Sequence, residues 1–480
     1  MNDIKNQWPF WFIVGSTAIA LTWPVLIQEG MFQDAVLYSS VARNLSIGYG
    51  TPWFLQYNTL NLEGIPSFHE QPPLVFWIQA ALYWFFGDSM YVERIYTAGA
   101  LVITGLLINV LWQRVNSGRD VYKYLGWIPL FLWITIPTCF WSFRHNMIEN
   151  TMGIFILISV IISYSALKSG KSSDWKWILS GIMIFLASFS KGVPGLFPIV
   201  VPFIYWIVYK DIPLKMVWRA FFIMLLVILF TYGMILLYPP ARESLSIYFF
   251  DRLLRRVDAM PTVTYRLEIF INLLTELIPS VLIVTVLVLM NRKSGIRRIS
   301  KDQMNDARFF FLVGLSGTLP LMLTMVQKRW YMVPAFPFFA IAFGILAVPY
   351  VVPMVKNILE HTQLMVLIKI ASIVSVISVF VFTRMQVGKV GREKDIISDV
   401  RTIGKIVPRF STVMASDSLY DQYNFVFQGF LVRYYNISLD PYHEHPFLLR
   451  YKNDVNTIPQ SYQKMEVDLK KYELFQAVEN

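Results

Sequence analysis

Apolar runs of bilayer-spanning length recur along the first 383 residues of the chain and then stop. A helix needs about 20 predominantly apolar residues to cross the hydrocarbon core of a membrane. Eleven runs approach that length, and short proline-broken runs such as "LAVPYVVPMV" bring the expected total to about 11–13 transmembrane helices. We therefore predict an all-α polytopic membrane protein over most of the chain. The predicted spans are 8–27, 91–112, 124–142, 147–167, 176–190, 193–209, 217–238, 270–290, 308–326, 331–352 and 364–383.

The apolar segment 72–87, "PPLVFWIQAALYWFFG", has only sixteen residues, so an interfacial helix competes with a true span. If it does not cross, four basic loops share the side of the N-terminus, whereas the stretch 28–90 on the other side carries one basic residue, Arg43. The positive-inside rule predicts this asymmetry, because cationic loops resist translocation. We therefore place 28–90 outside, with 72–87 as a helix in the outer interface. The basic loops are 113–123, 168–176, 210–216 and 291–307.

Composition agrees with a membrane chain and removes other classes. Of the 480 residues, 55% are apolar and only 15% are charged, which is a low charge fraction for a soluble protein. The formal net charge of +11 is assigned to the cytoplasmic loops, so nucleic acid is not an expected partner. Cys139 is the only cysteine, which excludes an intrachain disulfide framework. The first run lacks a small-residue cleavage site, so it is expected to remain as a span.

The last 97 residues lack apolar runs and are predicted to form a small extracytoplasmic α/β domain, residues 384–480, after a transmembrane domain of residues 1–383. The segment "DIISDVRTIGKIV" has the spacing of an amphipathic helix. The segment "YNFVFQGFLVRYY" alternates, which favours a strand. An odd number of spans places this domain outside.

Asp34 opens a predicted amphipathic helix on the first outward loop, "GMFQDAVLYSSVARN". Tyr38, Val41, Ala42 and Leu45 follow as one apolar stripe, as expected for a helix lying in the membrane interface. An acid in the first turn is also favoured simply by the helix dipole. The spacing alone leaves both interpretations open, a cap or a carboxylate aimed at a site where lipid meets water.

Further acids lie in the outward loops. His69, Glu70 and Gln71 precede the Pro-Pro that starts the interfacial helix, where Glu70 is either a dipole partner or, with Asp34, a ligand of a divalent cation. Glu149 lies at or just below the outer surface, where a lone carboxylate is costly unless it is paired. A salt bridge with Arg144 is the alternative to a catalytic role for Glu149.

Cations occupy the same predicted face. Arg94 opens a span from outside and Lys191 lies on a tight hairpin, and isolated residues of this kind are often interface anchors. The outward loop 239–268 holds five arginines, against the trend of the other outward loops, and "KRW" at 328–330 adds two more cations. Arginine clusters bind phosphate with planar, bidentate geometry. Acids and cations together indicate a phosphorylated, lipid-borne substrate handled at the outer surface.

Four segments in this order resemble the integral-membrane glycosyltransferases of the GT-C superfamily, in the branch of protein O-mannosyltransferases and lipid A aminoarabinose transferases. The resemblance covers most of residues 8–383. The segments are "DAVLYSSVARNLSIGYGTPW", "FHEQPPLVFWIQAALYWFFGDSMYVERI", "SKGVPGLFPIVVP" and "KRWYMVPAFPFFAIA".

The resemblance implies that a sugar passes, with inversion, from a polyprenyl-phosphate carrier to an acceptor hydroxyl of a lipid, glycan or protein, at the outer face of a bacterial cytoplasmic membrane. Asp34 matches the family's acid on the first outward loop, Glu149 its second acid and Glu70 the acid before Pro-Pro. Donor-phosphate ligands are expected at Arg94, Lys191, Arg252, Arg255 and Lys328, with His69, Gln71 and Tyr331 as other pocket residues. A divalent metal on Asp34 and Glu70 is an additional expectation.

Two positions depart from the aminoarabinose-transferase pattern. Gln71 stands where those relatives have lysine, and Leu37 where they have arginine. Both changes weaken the expected phosphate clamp and favour a different sugar or carrier, or a non-catalytic scaffold. The alternative from another class, a transporter or flippase of lipid-linked sugars, predicts polar residues along a mid-membrane path. The predicted spans instead have ionisable residues almost confined to their ends.

Overall fold

The computed structural model describes residues 7–59, 67–119, 121–170, 173–254, 261–290, 299–420, 425–454 and 458–478. Helices dominate it. In chain order they are α1 (Trp8–Leu26), α2 (Gln33–Ser46), α3 (Leu74–Phe86), α4 (Val92–Val115), α5 (Trp127–Ile134), α6 (Pro137–Ser142), α7 (Ile148–Lys168), α8 (Asp174–Lys191), α9 (Val201–Tyr209), α10 (Leu214–Leu236), α11 (Pro239–Ser246), α12 (Glu268–Met290), α13 (Lys301–Thr318), α14 (Phe336–Glu360), α15 (Thr362–Arg384), α16 (Lys394–Ile406), α17 (Asp417–Tyr420) and α18 (Phe425–Tyr435).

Eight helices of the described residues are long and apolar enough to cross a membrane, so the chain is a multi-pass membrane protein. Two of these spans include 3₁₀ turns: one turn extends α13 to Leu323, and another begins the α14 span at Arg329. The eight spans are α1, α4, α7, α10, α12, α13, α14 and α15. The other three predicted spans are occupied by α5 with α6, by α8, and by a 3₁₀ segment, Val193–Val200, that leads into α9. The predicted polytopic all-α fold is confirmed.

Proline explains the break between α5 and α6. Ile136 precedes Pro137 and is extended, with φ −67° and ψ 124°, because the proline ring disfavours the helical conformation of the residue before it. Pro137 then occupies the first turn of α6, where its missing N–H is not needed.

Two compact units divide the chain. The first consists of residues 1–24, 97–144 and 148–386, and the second of residues 25–96, 145–147 and 387–480. The predicted domains, residues 1–383 and 384–480, stay a prediction. The two units meet along the chain at 386/387, and the first loop, which the sequence analysis placed in the transmembrane domain, groups with the C-terminal residues.

The most buried of the membrane-length helices in the first unit is α7, where 72% of the residues in the most apolar stretch lie inside the protein. By contrast, only 11% of α15 and 17% of α10 are buried in this way, so these two helices present apolar surface as expected for lipid-facing spans.

Within the second unit, α2 begins one residue before Asp34 and buries Ala35, Val36, Tyr38 and Val41 against its neighbours α3 and α18. The predicted helix is therefore confirmed. The apolar segment that follows forms α3, a helix of only 13 residues that ends at Gly87 with φ 79°. Its placement in the membrane interface stays a prediction.

The C-terminal residues form a five-stranded sheet with the order β2-β1-β3-β5-β4, which confirms the predicted α/β class. β1 pairs in parallel with β2 and β3, and β5 pairs antiparallel with β3 and β4. The predicted amphipathic helix is α16, which buries Ile396, Ile397, Val400 and Ile403. The strands are β1 (Thr412–Ala415), β2 (Ser438–Asp440), β3 (Phe447–Tyr451), β4 (Tyr462–Lys464) and β5 (Tyr472–Ala477).

The strand predicted from "YNFVFQGFLVRYY" is wrong, because this segment forms the helix α18. Every residue from Phe427 to Arg433 is buried, so the middle of the helix has no solvent-exposed face. Hydrophobic period cannot separate a helix buried on all sides from a strand.

Candidate functional site

An ion pair joins Glu149 and Lys191 inside the first unit. Glu149 lies in the first turn of α7 and Lys191 is the last residue of α8. Since a short connection joins these neighbouring helices, the start of α7 meets the end of α8. Lys191 Nζ lies 2.5 Å from Glu149 Oε1, and the side chains are only 4% and 0% exposed.

Tyr331 completes this cluster, with its ring centroid 4.7 Å from Lys191 Nζ. A cation over an aromatic face is attracted by the ring quadrupole. Three residues that the sequence singled out as candidates are thus brought together. Arg144, the alternative partner of Glu149, instead donates a hydrogen bond to the carbonyl of Leu21 at 2.6 Å.

The C-terminal end of α8 stabilises the position of Lys191. A cation in the last turn is favoured by the helix dipole. Gly192 then stops the helix with φ 84° and ψ −148°, a conformation open almost only to glycine. The hydroxyl of Tyr248 occupies the space that a Cβ of residue 192 would need.

Tyr248 belongs to a π-helix, Ile247–Leu254, which also carries Arg252. Arg252 follows four residues later and is partly buried. Segments of π-helix are frequent at functional sites. Arg255, the other predicted phosphate ligand of this loop, lies outside the described residues.

Glu149 also borders a small cavity of about 10 Å³, with Thr104, Asn150 and Pro334 among its other lining residues. This is about the volume that one water molecule needs. Glu149 Oε2 has no hydrogen-bond partner within the part of the chain that the structure describes. The carboxylate therefore pairs with Lys191 through Oε1, and its other oxygen has no protein partner among the described residues.

Glu276 is a buried acid that the sequence analysis did not single out, since the spans were expected to carry charge almost only at their ends. It lies within α12, and its carboxylate accepts hydrogen bonds from the backbone N–H of Thr138 at 2.8 Å and from the hydroxyl of Thr138 at 2.7 Å. Arg329 lies 3.7 Å from the same carboxylate. The sequence feature that could have identified Glu276 is its position as a lone acid in the apolar run "NLLTELIPSVLIV", because a charged residue within a span is costly and is often functional.

Lys328, the last predicted cation, is half-buried, with Nζ 5.9 Å from the ring centroid of Trp330. The ring of Trp330 stacks on Trp141 at 5.3 Å. The segment "KRWY" therefore joins the surroundings of Glu276, through Arg329, to the Lys191 cluster, through Tyr331.

The remaining candidates lie in the second unit. Asp34 and Glu70 are half-buried, and His69 is buried with Nε2 2.5 Å from Ser67 Oγ. Gln71 is buried. Among the described residues, no group of three or more His, Cys, Asp or Glu side chains has the arrangement of a metal site.

Arg94 is 4% exposed and engages groups of its own unit. It donates hydrogen bonds to the carbonyls of Met90 and Gln28, the latter at 2.7 Å, and lies 3.4 Å from a carboxylate oxygen of Glu93. Its predicted role as a phosphate ligand stays a prediction.

A second buried charge cluster, also missed from the sequence, is centred on Arg433 of α18. Its guanidinium lies 3.1 Å from Glu93 and 2.8 Å from Asp88, and Asp88 also lies 3.5 Å from Arg43. Burial, the largest single cause, lowers the pKa of Arg433, but the charges of Glu93, Tyr83 and Asp88 together with a hydrogen bond to Glu93 outweigh burial and raise that pKa. These pairs connect the first loop to the C-terminal residues within one unit.

The turn after β2 holds a third polar cluster. Asp440 Oδ2 lies 2.9 Å from ring nitrogens of both His443 and His445. Burial raises the pKa of Asp440, but hydrogen bonds from His445, from the Tyr442 N–H and from His443 outweigh burial and hold that pKa below its usual value.

The predicted site residues are thus shared between two units. Asp34, His69, Glu70, Gln71 and Arg94 belong to the second, whereas Glu149, Lys191, Arg252, Lys328 and Tyr331 belong to the first. The assignment of donor and acceptor roles to these residues stays a prediction.

No protein-family model matches the chain. Among curated proteins it is 22% identical over 191 residues to undecaprenyl phosphate-alpha-4-amino-4-deoxy-L-arabinose arabinosyl transferase 1 of Proteus mirabilis. This match takes in 38% of the chain, which spans about a third (31%) of the length of this curated relative.

Solved structures resemble the fold more extensively. A crystal structure of ArnT from Cupriavidus metallidurans bound to undecaprenyl phosphate matches with a TM-score of 0.64 and 12% identity, over 98% of both chains. The oligosaccharyltransferase of Archaeoglobus fulgidus matches with a TM-score of 0.56 and 12% identity, over 91% of this chain and 65% of that one. The resemblance predicted from four sequence segments is therefore confirmed at the level of the fold, and the chain has the fold of the GT-C integral-membrane glycosyltransferases.

Proposed function

We propose that the chain is an inverting glycosyltransferase that moves a sugar from a polyprenyl-phosphate carrier to a hydroxyl of a lipid, glycan or protein. The observation that carries this proposal is the likeness to ArnT over 98% of both chains, in a structure that contains undecaprenyl phosphate. The curated arabinosyl transferase adds a relative whose name specifies an undecaprenyl-phosphate donor.

The reaction needs a leaving phosphate whose developing negative charge is stabilised. Lys191 supplies a preorganised cation, since its ammonium is held by Glu149 and by the Tyr331 ring before any substrate arrives. Preorganised cations in a water-poor site stabilise a transition state strongly. Arg252, Arg255 and Lys328 are the further phosphate ligands of this proposal, and the role of Arg94 as a phosphate ligand stays a separate prediction.

Asp34 is the proposed general base. Its carboxylate takes the proton of the acceptor hydroxyl as the acceptor oxygen attacks the anomeric carbon. The bond from that carbon to the phosphate oxygen breaks, and the electron pair leaves with polyprenyl phosphate. A positioned base contributes about 10²–10⁴-fold to the rate.

Glu149 is a positioning residue in this mechanism rather than a second base. Its carboxylate is fully buried and pairs with Lys191, so it fixes the phosphate ligand. Glu70, His69 and Gln71 are proposed to orient the acceptor. A divalent metal on Asp34 and Glu70 is a separate proposal, through which no step passes; donor binding in the presence and absence of a chelator tests it.

The positive-inside pattern supports a site on the outer face of the cytoplasmic membrane. The short apolar α3, whose Trp84 and Phe85 are exposed, suits an interfacial position. From there a lipid-linked donor enters sideways from the bilayer.

The test is transfer from labelled polyprenyl-phosphate sugars by the purified full chain, comparing wild type with Asp34→Asn. We expect turnover to fall by at least about 100-fold in the variant, as loss of a general base implies. Asp302→Asn, which removes an exposed acid at the start of α13, is the matched control. Full turnover in Asp34→Asn would reduce Asp34 to a helix cap, and donor binding without bond cleavage in wild type would favour a flippase.

A further inference from the structure

A cleft of about 340 Å³ opens in the second unit, between the ends of α2 and α18 and the connections that join α3 to α4 and α16 to β1. This volume lies in the range of about 300–1,000 Å³ that small-molecule sites occupy. Its walls combine two arginines, Arg43 and Arg409, with one acid, Asp88, and several aromatic rings. The lining therefore carries an excess of positive charge beside flat apolar faces.

Arg43 forms the buried part of the cleft and is only 3% exposed. It donates a hydrogen bond to the Val432 carbonyl at 2.5 Å and lies 3.5 Å from Asp88, but its Nε has no hydrogen-bond partner among the described residues. Burial, the largest cause, lowers the pKa of Arg43 to about 10, and the positive charges of Arg433 and Arg409 also lower it. The negative charge of Asp88 acts in the opposite direction and raises that pKa. An anion in the cleft relieves this unfavourable charge balance.

Asp88 does not neutralise the cleft, because it is shared. The same carboxylate lies 2.8 Å from Arg433, which is buried behind the cleft. Arg409 at the rim is exposed and makes no ion pair within the described part of the chain; its guanidinium lies 5.6 Å from the ring centroid of Tyr435. An exposed guanidinium without a carboxylate partner among the described residues therefore lines the cleft, close to an aromatic ring.

Phe410 adds an unusual feature at the same rim. Its backbone is left-handed, with φ 62°, although phenylalanine disfavours that region, and its ring is 62% exposed. A hydrogen bond from its N–H to the Tyr435 carbonyl at 3.2 Å holds this conformation. Strained backbone together with an exposed ring at a cleft mouth points to a binding role, since neither helps the fold.

We propose that this cleft binds an acidic saccharide, a sugar unit that carries a carboxylate or a phosphate. The guanidinium groups of Arg43 and Arg409 recognise the anionic group, which arginine binds bidentately. Phe410, Tyr435 and Tyr49 provide faces for the apolar side of a sugar ring, and Asp88 accepts hydrogen bonds from its hydroxyls. None of the residues that line the cleft is a proposed donor ligand, and binding there does not depend on sugar transfer.

The test is saturation-transfer NMR on the full chain in detergent, with glucuronate, glucose 6-phosphate and uncharged glucose as probes. We expect both anions to bind and glucose to bind at least about tenfold more weakly, as loss of a charge-assisted contact implies. The two anions distinguish a carboxylate from a phosphate ligand. Equal binding of all three sugars, or binding of none, would overturn the proposal.

Two variants locate the site. Arg409→Ala removes an exposed cation, and Phe410→Gly removes the ring while glycine adopts the left-handed backbone freely. We expect each to weaken binding of the anionic sugars about tenfold with Tm unchanged or, for Phe410→Gly, raised. Lys405→Ala removes an exposed cation of α16 outside the cleft and serves as the charge-matched control.

Equal binding by the wild type, Arg409→Ala and Lys405→Ala would contradict the assignment to this cleft. Equally tight binding of tetraglutamate would replace the saccharide by an acidic peptide and so overturn the ligand class. These measurements contain no donor, so failure of the glycosyltransferase proposal leaves their outcome unaffected.

Discussion

The buried pair of Glu149 and Lys191 gives a quantitative prediction. At 2.5 Å, two unit charges attract by about 6–7 kcal/mol at an effective dielectric constant of about 20. Desolvation of two nearly inaccessible groups offsets most of that attraction, so the intact pair adds little net stability. Lys191→Met leaves the Glu149 carboxylate buried without its cation, which costs about 3–5 kcal/mol.

The double variant Glu149→Gln/Lys191→Met removes both charges and is expected to recover most of this loss. The assay is chemical unfolding of the detergent-solubilised chain, analysed as a double-mutant cycle. A parallel assay of sugar transfer distinguishes lost stability from lost function, because the double variant regains stability but still lacks the lysine proposed to bind the phosphate. Lys356→Met, which removes an exposed lysine of α14, is the control.

Two results would refute this reasoning about the pair. One is a loss below about 1 kcal/mol in Lys191→Met, which would mean that the pair is well hydrated. The other is a double variant whose destabilisation equals the sum of the two single losses, which would mean that the groups do not interact.

Further predictions concern the surroundings of the site. Gly192→Ala should destabilise the chain by at least about 1 kcal/mol, because alanine is strained at a φ of 84° and its Cβ collides with Tyr248. The control Gly99→Ala, which has open space around it, should not destabilise the chain, and equal unfolding curves for the two variants would contradict this prediction. Arg433→Met should lower the free energy of unfolding by about 3–5 kcal/mol and speed proteolysis of residues 387–480, because two carboxylates lose their buried cation. An unchanged rate of proteolysis would contradict this prediction. The lowered pKa of Asp440 means that its contribution to stability is complete above the unfolded value of about 3.9 and is lost as pH falls through the folded value. Asp440→Asn should therefore flatten the loss of unfolding free energy below about pH 4, and an unchanged pH profile would exclude this role.

The sequence predicted the helical fold because span length and charge asymmetry depend on local composition. The start of α2 at Gln33, beside Asp34, followed from its apolar stripe. Prediction failed at α18, where burial on all sides removed the solvent-exposed face that distinguishes a helix from a strand. Local pattern carries no information about such tertiary burial.

The chemistry of the site was predicted less completely, because partners depend on folding. Glu149 and Lys191 were both candidates, but nearness in sequence favoured Arg144 as the partner of Glu149, and only the packing of α7 on α8 selects Lys191. Glu276 was overlooked as one acid in an apolar run. Arg43 entered only as the single basic residue of its loop, although it lines a cleft with residues far away in the chain.

The glycosyltransferase account is tested by the mass-spectrometric detection of polyprenyl phosphate after purified protein is incubated with polyprenyl-phosphate sugars and acceptor hydroxyls. It predicts release of the carrier by the wild type and by Asp302→Asn, and loss of that release in Asp34→Asn. No release from any donor, or equal release by Asp34→Asn, would contradict it.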